Sequence, residues 1–171
     1  ALVAGAGPSW SGILLAFLFV GLGTIGLLDD GIKIMRQRSL GLHPSGKIVG
    51  QVAVASLFAG GTLIRPNEFG ELAGTLEISF ARPTPLTLGF AGMAIGVILY
   101  LIWANLIVTA WSNATNLTDG LDGLAAGVSI FVFGAYTFIA YFQRIQACTQ
   151  PDVNRAACYS TRDPLDLAIF C

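Results

Sequence analysis

Four long apolar stretches, none of which contains a charged residue, constrain this chain more than any other feature of its sequence. Each is at least about 17 residues long, close to the roughly 20 residues that an α-helix needs to cross the hydrocarbon core of a bilayer. Lipid offers no hydrogen bonds to a backbone, so helices are the expected form. The predicted spans are Gly12–Leu28, Ile48–Ile64, Leu86–Trp111 and Leu124–Phe142. A shorter apolar run, 165–171, is expected to begin a fifth span.

The composition supports a membrane protein over a soluble one. Only 11% of the 171 residues are charged, against about 25% in ordinary soluble domains, whereas 54% are hydrophobic. So few charges cannot cover a water-exposed surface around buried helices, which is the alternative interpretation of the spans. A net charge of −1 also excludes a basic nucleic-acid-binding protein. We therefore predict an all-α, polytopic integral membrane protein. The small residues expected at close helix contacts are Gly21, Gly23, Gly26, Gly60 and Gly61.

Alternation of the spans decides which loops face the same side of the membrane. The loops 29–47 and 112–123 are separated by two spans, so they share one side, and the loops 65–85 and 143–164 share the other. The total numbers of basic residues on the two sides do not decide the orientation. Their density in the first loop favours the cytoplasm for 29–47 and 112–123. These basic residues are Lys33, Arg36, Arg38 and Lys47.

Two cysteines, Cys148 and Cys158, lie ten positions apart in the last predicted loop. If that loop is extracytoplasmic, a disulfide between them is expected, because such bonds persist in oxidising compartments. Two unpaired thiols are the alternative that the sequence leaves open.

The first group of residues suited to chemistry is the pair Asp29-Asp30, directly after the first span. Adjacent carboxylates at the C-terminal end of a helix repel each other and meet the negative end of its dipole, so local stability does not explain them. A solvated helix end is one interpretation. The other is a cation site at the membrane face, because Mg²⁺ binds one or two carboxylates together with substrate phosphates. The basic residues that follow suit either phosphates or anionic lipid headgroups.

The second group of such residues recurs at every third position: Asn113, Asn116, Asp119 and Asp122. Gly120 and Gly123 argue against a continuous helix here and allow a ligand to approach the backbone. Amides and carboxylates suit a nucleobase, a sugar hydroxyl or a metal, while a polar turn between two spans is the alternative. Because alternation places both groups on one membrane face, we predict a surface site for a phosphate-bearing substrate with Mg²⁺.

Both groups resemble motifs of a known enzyme family. Residues 116–125, Asn-Leu-Thr-Asp-Gly-Leu-Asp-Gly-Leu-Ala, resemble the signature of the phospho-N-acetylmuramoyl-pentapeptide transferases, a branch of the polyprenyl-phosphate N-acetylhexosamine-1-phosphate transferase superfamily. Residues 26–33 and 38–42 resemble the aspartate-pair motif and loop of the same family. The resemblance implies a fold of about ten transmembrane helices. This chain lacks an initiator Met and is expected to be an internal fragment with four of these helices plus the start of a fifth.

The resemblance also implies a reaction, the first membrane step of peptidoglycan synthesis. Phospho-MurNAc-pentapeptide would pass from UDP-MurNAc-pentapeptide to undecaprenyl phosphate, giving lipid I and UMP, at the cytoplasmic face of the bacterial inner membrane. By the same resemblance, Asp29 and Asp30 are the catalytic and Mg²⁺-binding pair, with their separate roles left open, and Lys33 is a candidate phosphate contact. The residues expected to bind the uridine end of the donor are Asn116, Asp119, Gly120 and Asp122. Membrane lipids and a second copy of the chain are further candidate partners.

Two features of the family are absent from these 171 residues: a metal-binding aspartate in a Gly-Asp-x-Gly-Ser segment, and a histidine-rich loop. The fragment alone is therefore expected to be inactive, and one-step or covalent catalysis stays open. The first alternative is a sister transferase that moves GlcNAc-1-phosphate from UDP-GlcNAc to the same lipid. The remote alternative is a transporter subunit, which predicts polar residues within the spans, where Asn105 is one of very few.

Overall fold

A computed structural model describes residues 9–37, 41–66, 70, 72–79, 83–118, 123–148, 152–154, 158, 166 and 169. Its helices are α1 (Trp10–Arg36), α2 (Pro44–Thr62), α3 (Met93–Thr118) and α4 (Leu124–Ile145). A small antiparallel hairpin lies between α2 and α3, formed by β1 (Glu77–Ser79) and β2 (Pro83–Thr87), and a 3₁₀ turn (Leu88–Ala91) follows it. The chain divides into two compact units, residues 16–114 and residues 1–15 with 115–171.

Within the described parts of the chain, three helices are long and apolar enough to cross a membrane: α1, α3 and α4, with 27, 26 and 22 residues. Their large apolar side chains mostly point away from the rest of the chain. Phe19, Leu106 and Phe131, one on each helix, are 76%, 59% and 81% exposed. Such surfaces suit contact with lipid. The prediction of a largely helical chain with several helices suited to a membrane is confirmed.

The predicted second span forms the 19-residue helix α2, but α2 is less apolar than α1, α3 and α4 and is not among the three helices apolar enough to cross a membrane. Lys47, Gln51 and several glycines reduce its apolar character. Its buried residues form a polar and small-residue face rather than a leucine-rich one. They are Gln51, Ala55, Ala59, Gly61 and Thr62.

The ends of the helices differ from the ends of the predicted spans in three places. Most of the loop 29–47 is helical, because α1 continues to Arg36 and α2 begins with Pro44 in its first turn, where a missing N–H costs nothing. In the same way, α3 continues to Thr118, into the predicted loop 112–123. Helix α3 begins at Met93, whereas the predicted third span begins at Leu86, because the residues before Met93 form β2 and the 3₁₀ turn.

The hairpin is a departure from the predicted all-α fold. Glu77 is paired with Thr87, and the first residue of β2, Pro83, is paired with Ser79. A strand's first position tolerates proline, because no ladder hydrogen bond is lost there. The Leu88 N–H donates to the Leu76 carbonyl at 2.7 Å, which ties the 3₁₀ turn to the hairpin just before α3 begins.

In the unit 16–114, α1 and α2 approach each other closely at two glycines. A Cβ atom built on Gly21 would lie 2.7 Å from a methyl group of Val54, and one built on Gly50 would lie 3.1 Å from Ile25. The prediction of a close contact is confirmed for Gly21. An added Cβ on Gly23, Gly26 or Gly60 would meet open space in the described part of the chain, so close contacts at these three glycines stay a prediction.

In the other unit, α4 begins after Gly123, whose φ of +79° is in the left-handed region that glycine adopts without strain. The segment after α4 contains a disulfide between Cys148 and Cys158, so the predicted pairing is confirmed. At the start of α1, the Ser9 hydroxyl accepts a hydrogen bond from the Gly12 N–H at 3.3 Å and donates to the carboxylate of the buried Asp166. Most of the run 165–171, the predicted fifth span, lies outside the described residues.

Candidate active site at the end of α1

The last two turns of α1 carry the aspartate pair and a lysine that bridges it. Lys33 lies four positions after Asp29 and three after Asp30, a spacing that brings side chains together on a helix. Its Nζ atom lies 2.9 Å from Asp29 Oδ2 and 2.9 Å from Asp30 Oδ1. These ion pairs also explain why α1 continues past the apolar stretch: the charges stabilise the helix instead of ending it.

Asp29 is the centre of this group and is 5% exposed. The Leu42 N–H, on the segment that leads into α2, donates to Asp29 Oδ1 at 2.7 Å. Lys47, in the first turns of α2, places its Nζ 3.6 Å from Asp29 Oδ2. Two ammonium groups and a backbone donor therefore surround this carboxylate, and all three stabilise its ionised form.

The segment before α2 approaches α1 so closely that a side chain at Gly41 would not fit. A Cβ atom there would lie 2.6 Å from the Asp29 carbonyl oxygen, 2.9 Å from Lys33 Cε and in collision with the Asp29 carboxylate. Glycine is thus required at this position by the close backbone approach. We use the name Asp29 cluster for Asp29, Asp30, Lys33, Gly41 and Lys47.

Asp30 differs from its neighbour in exposure, because its side chain is 67% exposed whereas that of Asp29 is 8% exposed. Only Asp30 of the pair presents most of its carboxylate to a ligand arriving from solvent. The sequence placed the two aspartates together but could not separate their environments. That separation comes from the segment 41–47, which covers one and leaves the other open.

The second predicted group is described only in part. Asn116 lies in the last turn of α3 and is exposed, whereas Asp119, Gly120 and Asp122 lie outside the described residues. The prediction that both groups share one site therefore stays a prediction. One turn before Asn116, the Asn113 amide donates to Gln51 Oε1 at 3.1 Å and to the Thr109 carbonyl at 2.8 Å.

Gln51 is a residue that the sequence analysis missed. It is 1% exposed, and its Nε2 donates to the Ser112 hydroxyl at 3.0 Å while its Oε1 accepts from Asn113. The available signal was a single long amide in an otherwise apolar stretch. In a membrane such a group needs partners inside the protein.

Comparison with known proteins decides the family. The sequence profile of glycosyl transferase family 4 matches residues 11–158, most of the chain. The chain belongs to glycosyl transferase family 4. The match includes all of the Asp29 cluster, all of α2 and α3, and both disulfide cysteines.

Several relatives of this family 4 chain carry the name phospho-N-acetylmuramoyl-pentapeptide-transferase. The protein from Beutenbergia cavernae is 53% identical over 162 residues, covering 95% of this chain and 45% of the relative. The protein from an Arthrobacter species is 54% identical over 165 residues, covering 96% and 45%. That from Streptomyces griseus is 44% identical over 169 residues, covering 98% and 46%. The predicted resemblance is confirmed, and the chain spans about half the length of these relatives.

The two predicted Mg²⁺ ligands, Asp29 and Asp30, are not equally suited to bind a cation. Among the described residues there is no group of three or more His, Cys, Asp or Glu side chains that could hold a metal ion. Both Asp29 oxygens are already occupied, one by the Leu42 N–H and the other by lysines. The exposed Asp30 carboxylate, a hard oxygen donor, is the better candidate ligand within this family 4 chain.

Proposed function

We propose that the protein carrying this chain transfers phospho-MurNAc-pentapeptide from UDP-MurNAc-pentapeptide to undecaprenyl phosphate, with lipid I and UMP as products. The observation that carries the proposal is the Asp29 cluster, a charged group at the end of an apolar helix in a chain similar to enzymes named for this transfer. One substrate is a soluble nucleotide and the other is a phosphate on a lipid tail. A charged site at the end of a membrane helix is where the two can meet.

The reaction joins two anions, so charge neutralisation is its main requirement. An oxygen of the lipid phosphate forms a bond to the phosphorus that carries the sugar, and the bond from that phosphorus to UMP breaks, with its electron pair leaving on UMP. Lys33 and Lys47 supply positive charge beside this site, and Asp29 holds both ammonium groups in place. Lysines held this way can contact phosphate oxygens without a large rearrangement.

Asp30 is the residue we propose to hold Mg²⁺, together with carboxylates supplied by parts of the protein beyond this chain. Its exposure supports this role, as does the fact that its ion pair with Lys33 is the only one it makes with the described residues. When bound, the ion would neutralise phosphate charge and favour the departure of UMP. Asp29 is proposed to organise the lysines instead, because its oxygens are already engaged.

For the membrane arrangement, we propose that α2 is a fourth span beside α1, α3 and α4, within a larger fold of about ten helices. The polar face of α2 supports this, since its Lys47 and Gln51 contact α1 and α3 rather than lipid. The Cys148–Cys158 disulfide after α4 supports an oxidising compartment at that end of α4. Alternation then favours the cytoplasmic side of the bacterial inner membrane for the Asp29 cluster.

The test is UMP release by the full-length protein in detergent with undecaprenyl phosphate. With UDP-MurNAc-pentapeptide and Mg²⁺ we expect UMP and lipid I in equal amounts, and none after Mg²⁺ is removed with a chelator. UDP-GlcNAc in place of the donor is the matched control and should give no UMP. If only UDP-GlcNAc gives UMP, the protein is assigned to the sister transferases. If neither donor gives UMP, the proposal is refuted.

A further inference from the structure

The apolar surface of α3 does not end where the helix begins. The stretch 83–118 contains no charged residue, although α3 occupies only residues 93–118 of it, and β2 and the 3₁₀ turn form most of the remainder. Three large side chains at this junction are exposed: Leu86 by 61%, Phe90 by 77% and Met93 by 75%. Exposed apolar groups so close together indicate a contact surface rather than a surface that faces water. We call these three residues the apolar edge.

The apolar edge is fixed to the first turn of α3 by close packing. The Thr87 hydroxyl accepts from the Gly89 N–H at 3.1 Å, and the Gly96 N–H donates to the Gly92 carbonyl at 2.9 Å. A Cβ atom built on Gly96 would lie 2.9 Å from Gly89 Cα and 3.0 Å from Leu76 Cδ1. The hairpin and the 3₁₀ turn therefore pack directly on α3, and the depth of the helix in a membrane also determines the depth of the apolar edge.

The hairpin has one polar and one apolar face. Residues 75–79, Thr-Leu-Glu-Ile-Ser, alternate polar and apolar. Because successive side chains of a strand point to opposite faces, the exposed Glu77 lies on the face away from its two apolar neighbours. Thr87 is paired with Glu77, so Leu86 lies on the apolar face together with Leu76. Leu76 is in contact with α3, which leaves Leu86 as the uncovered part of this face.

The length of α3 places its first turn at the boundary of the bilayer. From Ser112 onward the helix is polar, since five of its last seven residues are Ser, Thr or Asn. Its apolar part, residues 93–111, is about 28 Å long at about 1.5 Å per residue. The hydrocarbon core is about 30 Å thick, and any tilt shortens the distance that the helix covers. A crossing helix therefore needs its whole apolar part, so Met93 lies at the boundary and the residues just before it lie in the interface.

We propose that the apolar edge inserts into the lipid interface and holds the hairpin against the membrane surface, with Glu77 on the face toward water. The partner is the boundary between headgroups and acyl chains in the leaflet where α3 begins, which takes apolar and aromatic side chains of amphipathic segments. The hairpin in this way fixes the depth at which α3 starts. The inference does not depend on the proposed reaction, because it uses only the apolar length of α3 and the packing of the hairpin.

The experiment uses the full-length protein in lipid nanodiscs, with reactive cysteines other than Cys148 and Cys158 changed to serine. An NBD fluorophore, which emits at shorter wavelength in apolar surroundings, is attached to Phe90→Cys. Glu77→Cys is the matched control, since it belongs to the polar face of the same hairpin. Lipids with a nitroxide on the upper part of the acyl chain then quench the fluorophores that they contact. We expect emission at shorter wavelength from position 90 than from position 77, and at least about threefold stronger quenching.

Three results would overturn the inference. They are equal quenching at positions 90 and 77, emission at position 90 typical of water, and short-wavelength emission there without quenching by lipid. In the last case a protein surface, rather than lipid, would cover the apolar edge. If Phe90→Cys does not fold, Leu86→Cys takes its place with the same expectation. Because none of these measurements uses UMP release, the inference and the proposed function fail separately.

Discussion

The contact between α1 and α2 ends in ion pairs, whereas the contact between α2 and α3 is neutral along its length. In the first, Asp29 is surrounded by Lys33, Lys47 and a backbone N–H. In the second, amides and hydroxyls form hydrogen bonds from Thr62–Tyr100 to Gln51–Asn113. Charge is costly at membrane depth, and neutral hydrogen bonds between helices are tolerated there. The charges of the Asp29 cluster thus lie where the apolar helix α1 becomes polar.

This difference separates two tasks. Lysines paired with a carboxylate can exchange that partner for a phosphate, so the Asp29 cluster can take part in chemistry. The hydrogen bonds between α2 and α3 offer no charge to a substrate, and their contribution is to fix the positions of these two helices. Changes in the cluster should therefore reduce turnover, and changes in the helix contacts should reduce stability or substrate affinity.

Among the glycines at the helix contacts, the largest effect is expected from Gly41→Ala, which adds one methyl group against the Asp29 carboxylate without changing any charge. The added carbon collides with Asp29 and its carbonyl oxygen, so the segment 41–47 must move and carry Lys47 with it. We expect kcat to fall at least about tenfold and the free energy of unfolding by about 2 kcal/mol. Gly46→Ala is the control, because its Cβ would meet only Leu42 at 3.9 Å. Equal turnover of the two variants would show that the close approach at Gly41 is not required.

A smaller effect is expected from Gly21→Ala, far from the charges. Its Cβ would lie 2.7 Å from Val54, a stiff β-branched side chain, so α1 and α2 must separate. We expect a loss of about 1 kcal/mol in the free energy of unfolding, with the KM values unchanged. Gly23→Ala meets open space and should be neutral or stabilising by up to about 1 kcal/mol. Thermal unfolding in detergent measures both, and a lower midpoint for Gly23→Ala than for Gly21→Ala would contradict the account.

The sequence predicted which segments form helices better than it predicted the residues at which those helices end. Hydropathy marks where apolar residues stop, so it ended the first helix at Leu28, whereas ion pairs with Lys33 carry α1 on to Arg36. It likewise ended the third span at Trp111, although α3 continues to Thr118. The hairpin of β1 and β2 was missed because such short strands carry little alternation. The sequence left a disulfide and two unpaired thiols open for Cys148 and Cys158, and the structure contains the disulfide.

The candidate site was predicted by residue type but not by environment. Asp29, Asp30 and Lys33 do come together, but nothing in their sequence shows that Asp29 is buried and Asp30 exposed. That difference depends on Gly41 and Lys47, which only the path of the chain brings to α1. Gln51 was missed for a similar reason, because a hydropathy window averages a single amide into its apolar neighbours. Its partners on α3 lie about sixty residues away along the chain.

The most direct test of the account is UMP release by the full-length protein with Asp29→Asn, compared with Asp30→Asn and Asp152→Asn. Asp29→Asn keeps the shape of the side chain but removes the charge that holds two lysines, so kcat should fall at least about hundredfold at every Mg²⁺ concentration. Asp30→Asn should raise the Mg²⁺ concentration needed for half-maximal turnover. Asp152→Asn changes an exposed carboxylate after α4 and should leave turnover unchanged. Turnover of Asp29→Asn within about twofold of wild type would contradict the assignment of the Asp29 cluster as the active site.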